Sequence, residues 1–137
     1  MTEKSLVIIG CGPGGMSAAL AARENGIQDI LILERDNRPG GIMNQCIHSG
    51  FGIKYFGEEL TGTEYALRVF DKIQEQGIEL RLNTMVTDIT PEKVITALTA
   101  GEVIKIKAGA IILAMGCRER PRGAINIKGT RPAGVIT

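Results

Sequence analysis

A short apolar run at residues 6–9, Leu-Val-Ile-Ile, leads straight into Gly10-Cys11-Gly12-Pro13-Gly14-Gly15, and no other stretch constrains the fold of this chain as tightly. A run of branched apolar residues without polar alternation reads as a strand buried on both faces, the kind found in parallel sheets covered by helices. Gly10, Gly12 and Gly15 then spell G-x-G-x-x-G, a turn from strand to helix. Gly10 permits the sharp reversal, Gly12 lacks the Cβ that would keep a pyrophosphate off the backbone, and Gly15 lets the helix pack closely on the strand. A diphosphate in this turn meets free N–H groups and the positive end of a helix dipole. At Cys11 the N–H is expected to matter more than the sulfur.

In a chain with 18 glycines this spacing alone is a weak signal, so the flanking residues decide its meaning. Residues 16–25, MSAALAAREN, are rich in alanine and read as the helix, with Gly26 as its stop. Residues 29–33 read as a second buried strand that delivers Glu34 at its end. Glu34 follows Gly15 at close to the spacing of roughly 20 residues at which a carboxylate accepts hydrogen bonds from an adenosine ribose. A carboxylate facing the ribose 2′ position repels a 2′-phosphate, so NADP is disfavoured at this site.

With 137 residues the chain suits one ordinary domain. A hydrophobic share of 44% and a charged share of 23% belong to a globular rather than a disordered chain. A net charge of +1 provides no electrostatic footprint for nucleic acid. No run approaches the ~18 apolar residues of a membrane span and the N-terminus lacks a secretory pattern, so a cytoplasmic location is expected. Three cysteines without paired spacing read as free thiols, neither a disulfide framework nor a metal site.

Residues 37–60 are glycine-rich and without sustained periodicity, and read as a long functional loop. Residues 61–76 return to helix, capped by Thr61 or Thr63, with Ala66, Val69, Phe70 and Ile73 as the apolar face and Gly77 as the stop. A short strand at 78–82 follows. Three β-rich segments between residues 84 and 107 predict an antiparallel meander. The run AIILA at 110–114 predicts a further parallel strand ended by Met115-Gly116. The tail from Cys117 to Thr137 carries Arg118, Arg120, Arg122 and Arg131 beside Pro121 and Pro132 and reads as a surface linker, the alternative being that the arginines at 118–122 meet a phosphate or a further domain. A plain NAD-binding domain would place a helix where this chain has its meander, which moves the expected ligand from NAD toward FAD.

This pattern resembles the N-terminal FAD-binding domain of the pyridine nucleotide-disulfide oxidoreductase superfamily over nearly the whole chain. Gly10, Gly12, Gly15 and Glu34 are similar to its first fingerprint, Gly40-Gly41 to the glycine pair beside the flavin, and Ala114-Met115-Gly116 to its Ala-Thr-Gly strand end. Val86 matches the position whose backbone meets adenine. The resemblance implies an α/β, Rossmann-like FAD/NAD(P)-binding domain: a parallel sheet flanked by helices and a three-stranded antiparallel β-meander. It also implies FAD as cofactor, NAD(P)H as co-substrate on a separate domain, and a small-molecule redox substrate. The segment GGIMNQCIHSGFGIKYFGEELTGTEYA resembles, more particularly, the bacterial oxidoreductases that accompany anaerobic glycerol-3-phosphate dehydrogenase, with looser similarity to subunits of opine and sarcosine oxidases.

The chain departs from the superfamily at two points. Where disulfide reductases carry C-x-x-x-x-C after the double glycine, this chain has Met43 and His48, so dithiol chemistry is not expected. The NAD(P)H-binding segment and the returning part of the FAD domain are absent from residues 1–137, which are therefore expected to be an incomplete domain, with an exposed sheet edge that favours self-association.

Cys46 and His48 are weak catalytic candidates, weighed against simple packing or backbone bonding. Asn44 and Gln45 are candidates for hydrogen bonds to the flavin edge. Arg35 either stacks on adenine or contacts phosphate, or is a solvated surface residue. Tyr55, Phe56, Tyr65 and Phe70 read as packing aromatics. The rival to a flavin oxidoreductase is a non-catalytic module that binds NAD or ADP, which would have no use for the loop from Gly40 to Gly57.

Overall fold

The computed structural model describes residues 1–117. Strand β1 (Thr2–Ile9), helix α1 (Pro13–Glu24) and strand β2 (Ile30–Leu33) form the opening unit. β1 pairs parallel to β2 with Leu6 opposite Ile30 and Ile9 opposite Leu33. Strand β5 (Glu79–Arg81) adds parallel to the far side of β2. The second half of strand β8 (Glu102–Leu113) adds parallel to β1, with Leu6 opposite Ala110 and Ile9 opposite Leu113. With β6 (Thr84–Ile89) and β7 (Val94–Thr99), the sheet order is β5-β2-β1-β8-β7-β6.

The unbroken apolar runs are explained by a core on each face. Leu6, Ile8, Ile30 and Ile32 pack beneath α1 and helix α3 (Gly62–Glu75), against Met16, Leu20, Val69 and Ile73. Their neighbours in sequence, Val7, Ile9, Leu31 and Leu33, point the other way and meet Ile95 and Ile106 of the meander. Each such side chain contributes about 1.5–3 kcal/mol through burial, so no residue of 6–9 or 30–33 could be polar without loss.

α1 starts three residues earlier than its alanine-rich stretch suggests, because Pro13 occupies the first helical turn, where its fixed φ suits a helix and its missing N–H costs nothing. At its far end Gly26 adopts φ +92°, a left-handed conformation that closes the last turn. α3 opens with a full capping box: Thr61 Oγ1 accepts from the Glu64 amide at 3.3 Å, while Glu64 Oε2 accepts from the Thr61 amide at 2.8 Å.

Two expectations are corrected. The third meander segment and the strand at 110–114 are one strand, β8, which pairs antiparallel to β7 over residues 102–107 and parallel to β1 from Ile106 to Leu113. Gly109 lies within the stretch that pairs with β1, flanked by Ala108 opposite Lys4 and Ala110 opposite Leu6, and a Cβ on it would stand 2.7 Å from the Ser5 carbonyl oxygen. Its glycine therefore marks a close strand approach and not a break. The loop at 37–60 also holds structure: a 3-10 turn (Gly41–Gln45), a small hairpin of β3 (Ser49–Phe51) with β4 (Leu60–Thr61), and one turn of helix, α2 (Ile53–Phe56). Packed rings hold it to α3, with centroids 6.4 Å apart for Phe51 and Tyr65 and 5.6 Å for Phe56 and Tyr65. Among the described residues no helix is long and apolar enough to cross a membrane.

Candidate functional site

At the carboxyl ends of β1 and β2 the chain turns twice, and the first turn is explained glycine by glycine. Gly10 has φ +105°, and a Cβ on it would stand 2.3 Å from the Ala114 carbonyl oxygen. A Cβ on Gly15 would stand 1.9 Å from the Gly10 carbonyl oxygen. Both positions are closed to any side chain by the protein's own backbone. Gly12 is different: its backbone is extended (φ −78°), and a Cβ there would meet only the Gly41 Cα, at 3.9 Å. A Cβ on Gly14 would meet no described residue within 4 Å. No side chain caps the start of α1, so its first N–H groups remain available to an anion.

Glu34 is buried, 6% exposed, at the end of β2. Its Oε2 accepts from the Cys11 amide at 2.7 Å and its Oε1 from the Asp36 amide at 2.9 Å. The Glu34 backbone is held in turn, its N–H donating to the Arg81 carbonyl and its carbonyl accepting from the Thr84 amide. The carboxylate thus ties the glycine turn to the end of β2 and retains lone pairs for hydroxyl donors.

A second glycine loop faces the first. Gly40 (φ +111°) donates its N–H to the Cys11 carbonyl at 2.8 Å. Gly41 follows with φ +52°, and a Cβ on it would stand 3.0 Å from Gly12 Cα.

Between these loops lies a cleft of about 670 Å³. Of the residues singled out from sequence, Gly10, Gly12, Pro13, Gly14, Glu34, Arg35, Gly41, Val86, Ala114, Met115 and Gly116 line it. Cys11, Gly15 and Gly40 stand behind its wall, and Gln45 lines it while Asn44 does not. Leu33, Asp36, Ile42, Thr84, Met85 and Cys117 also line it without having been singled out; adjacency to Glu34, Gly41, Val86 and Gly116 was the only signal for them. Arg35 and Asp36 are well exposed at its rim, with Arg35 Nε 3.8 Å from Asp36 Oδ1. A separate hollow beside Met1, Thr2 and residues 103–105, at the opposite end of β1, contains none of these residues.

Of the thiols and the imidazole, Cys117 alone lines the cleft among the described residues. Burial, with the Glu34 carboxylate close by, pushes the Cys11 thiol up to about 12, leaving it unreactive at neutral pH. Cys46 directs its Sγ to the Ile42 carbonyl at 3.6 Å. His48 is exposed, with Nδ1 3.0 Å from the Ser49 carbonyl and its ring 5.3 Å from that of Phe51. Neither residue lines the cleft. The arginine cluster of the tail falls outside the described residues.

The donor set fits a dinucleotide: open space above Gly12 and Gly14 for a diphosphate, a buried carboxylate for a ribose, and the apolar wall of Met85 and Val86 for a purine ring. Comparisons with known proteins agree. Residues 4–136 match the family model described as pyridine nucleotide-disulphide oxidoreductase. Hydrogen cyanide synthase subunit HcnB of Pseudomonas protegens is 30% identical over 115 residues, covering 83% of this chain and 24% of that protein. An opine oxidase subunit of Agrobacterium tumefaciens is 26% identical, covering 96% of this chain and 27% of that one. This chain therefore spans about a quarter of the length of these relatives. Among solved structures, thioredoxin reductase from Streptococcus pyogenes superposes with a TM-score of 0.66 at 25% identity, covering 88% of this chain and 37% of that one. The chain belongs to the pyridine nucleotide-disulphide oxidoreductase family, whose cofactor is FAD and whose co-substrate is NAD(P)H.

Proposed function

We propose that residues 1–137 are the FAD-binding part of a flavin-dependent oxidoreductase that exchanges electrons between NAD(P)H, bound by a further domain, and a small-molecule substrate or acceptor. The observation that carries this reading is Gly12. Its φ suits any residue and its described neighbours leave room for a Cβ, so no contact among the described residues explains a glycine there. A diphosphate resting against the Gly12 backbone does explain it.

In this reading the N–H groups at the start of α1, with Gly12 and Gly14, hold the diphosphate, and Glu34 accepts from the adenosine ribose. Met85 and Val86 wall the adenine, while Gly41, Gln45 and residues 114–116 flank the remainder of the cofactor. The isoalloxazine supplies the redox chemistry when bound. The protein's part is to orient it, exclude water and donate hydrogen bonds to its edge.

Dithiol exchange forms no part of the proposal, because Met43, buried, and His48 occupy the positions of the reductases' cysteines. Similarity of the Gly40–Ala66 segment supports a place among the oxidoreductases that accompany anaerobic glycerol-3-phosphate dehydrogenase. Two relatives are themselves named as subunits, of hydrogen cyanide synthase and of opine oxidase, which supports work within a larger complex of unlike chains. Beyond Lys107 no described strand pairs with the side of β8 turned away from β1, and we assign self-association of the isolated chain to this edge. A role as a bare NAD or ADP sensor gains nothing from the cleft, since Gly41, Ile42 and Gln45 of the second loop belong to its wall.

Titrating the intact protein with FAD, NAD and ADP tests the reading, alongside Gly12→Ala. FAD is expected to bind most tightly, and Gly12→Ala to lose FAD affinity by at least about tenfold with an unchanged melting temperature. NAD binding more tightly than FAD, or full FAD affinity in Gly12→Ala, would overturn it.

A further inference from the structure

Asn44 sits one residue from the cleft-lining Gln45 yet does not itself line the cleft. Its Nδ2 donates to the Pro39 carbonyl at 2.8 Å, bridging the turn that contains Gly40. The position a Gly40 Cβ would take lies 2.9 Å from both Nδ2 and Oδ1 of Asn44 and 3.0 Å from Ala66 Cβ on α3. Gly40 is therefore enclosed on one side by the Asn44 amide and by α3, and on the other is bonded through its N–H to the Cys11 carbonyl. That bond is the direct backbone link between the two glycine loops, and Gly12 and Gly41 face each other immediately beyond it.

We propose that Asn44 is a positioning residue: its amide fixes the left-handed Gly40 and so sets the separation of Gly12 and Gly41 across which the dinucleotide lies. The proposal rests on the FAD reading above. Its physical basis is preorganisation. Without the Asn44 donor the Pro39 carbonyl loses its partner, and the Gly40-Gly41 pair, glycines with wide conformational freedom, gains alternatives to the one arrangement that matches the first loop. A binding-competent arrangement present in one-tenth of the molecules weakens apparent affinity about tenfold.

Asn44→Asp keeps the volume but replaces the donor with an acceptor, and Asn44→Ala removes both, so the pair share only the loss of the bond to Pro39. Two readouts on the intact protein separate the clamp from the cofactor. Hydrogen exchange at the Gly40 amide, followed by NMR without ligand, is expected to speed up at least about tenfold in both variants, the melting temperature staying within a few degrees of wild type. FAD titration by flavin fluorescence is expected to show affinity lowered about tenfold in both. Unchanged protection of the Gly40 amide, or FAD affinity within twofold of wild type in both variants, overturns the role of Asn44. Wild-type protein that binds no FAD overturns the cofactor reading instead, and the exchange measurement still decides the clamp.

Discussion

The amide of Cys11 and the carboxylate of Glu34 are joined by a buried 2.7 Å hydrogen bond that connects the glycine turn after β1 to the end of β2. Glu34 thus has a structural duty apart from any ribose. Glu34→Ala leaves the Cys11 and Asp36 amides without their acceptors, and a buried donor left unsatisfied costs about 1–3 kcal/mol. Urea unfolding of the ligand-free protein is expected to show a loss in that range. A midpoint equal to wild type would mean that water replaces the carboxylate at no cost.

Cys11 and Cys117 should separate by reactivity. Cys117 is exposed at the cleft, whereas Cys11 is fully buried with its thiol pushed up to about 12. At pH 8 a group titrating there is thiolate in only about one molecule in ten thousand. A disulfide reagent is expected to modify Cys117 in the native protein and Cys11 only at the rate of unfolding. Equal native rates at the two sites would contradict the burial of Cys11.

The opening βαβ unit was legible because its signals are local. The runs at 6–9 and 30–33, the glycine spacing and Glu34 all fall within one short stretch, and each constraint on the turn acts between near neighbours such as Gly10 and Gly15. A cap at Thr61 or Thr63 was likewise readable, and the structure chooses Thr61. β8 was misread because the partner that demands a glycine at 109 is Ser5, on a strand a hundred residues away. The small elements between residues 41 and 61 are too short for any periodicity, and packing of Phe51 and Phe56 on Tyr65 holds them together. Most lining residues of the cleft were named from sequence. The direction of the Asn44 side chain was not readable, since Asn suits a backbone carbonyl as well as a ligand.

The hairpin between β7 and β8 carries a removable strain. Ala100 has φ +47° and Gly101 φ +82°, the pattern of a two-residue turn that favours Asn-Gly. Alanine in a left-handed conformation costs about 1 kcal/mol. Ala100→Asn and Ala100→Gly are therefore expected to stabilise the protein by about 0.5–1 kcal/mol, raising the melting temperature without altering ligand affinity. A lower melting temperature in both variants would show that the alanine methyl group contributes more by packing than its backbone loses.

At the end of the sheet opposite the cleft, Lys4 Nζ lies 2.7 Å from Asp29 Oδ1 and 2.9 Å from Glu79 Oε2, bridging β1 to the approach to β2 and to β5. The bond from Lys4, with that from the Ser5 amide, holds the Asp29 carboxyl below its ordinary value. Partial burial pushes Glu79 up, but the bonds from Lys4 and Arg81 outweigh it and leave this carboxyl low as well. Bonds to the two acids hold the Lys4 ammonium above its ordinary value. A lowered carboxyl stabilises the fold above its unfolded value and loses that effect as pH falls through the folded one; a raised lysine stabilises the fold until pH climbs through its folded value. The bridge therefore works fully between about pH 5 and pH 10, given ordinary values of about 4 and 10.4. Because Asp29 and Glu79 are 46% and 39% exposed, screening limits its contribution to about 1 kcal/mol. Lys4→Met is expected to lower stability by about that amount at pH 7, and the deficit should shrink steadily between pH 4 and pH 2. Denaturant midpoints of the two proteins across that range check the sign: a deficit that stays constant as the acids protonate would mean that the charge of Lys4 does not carry the effect.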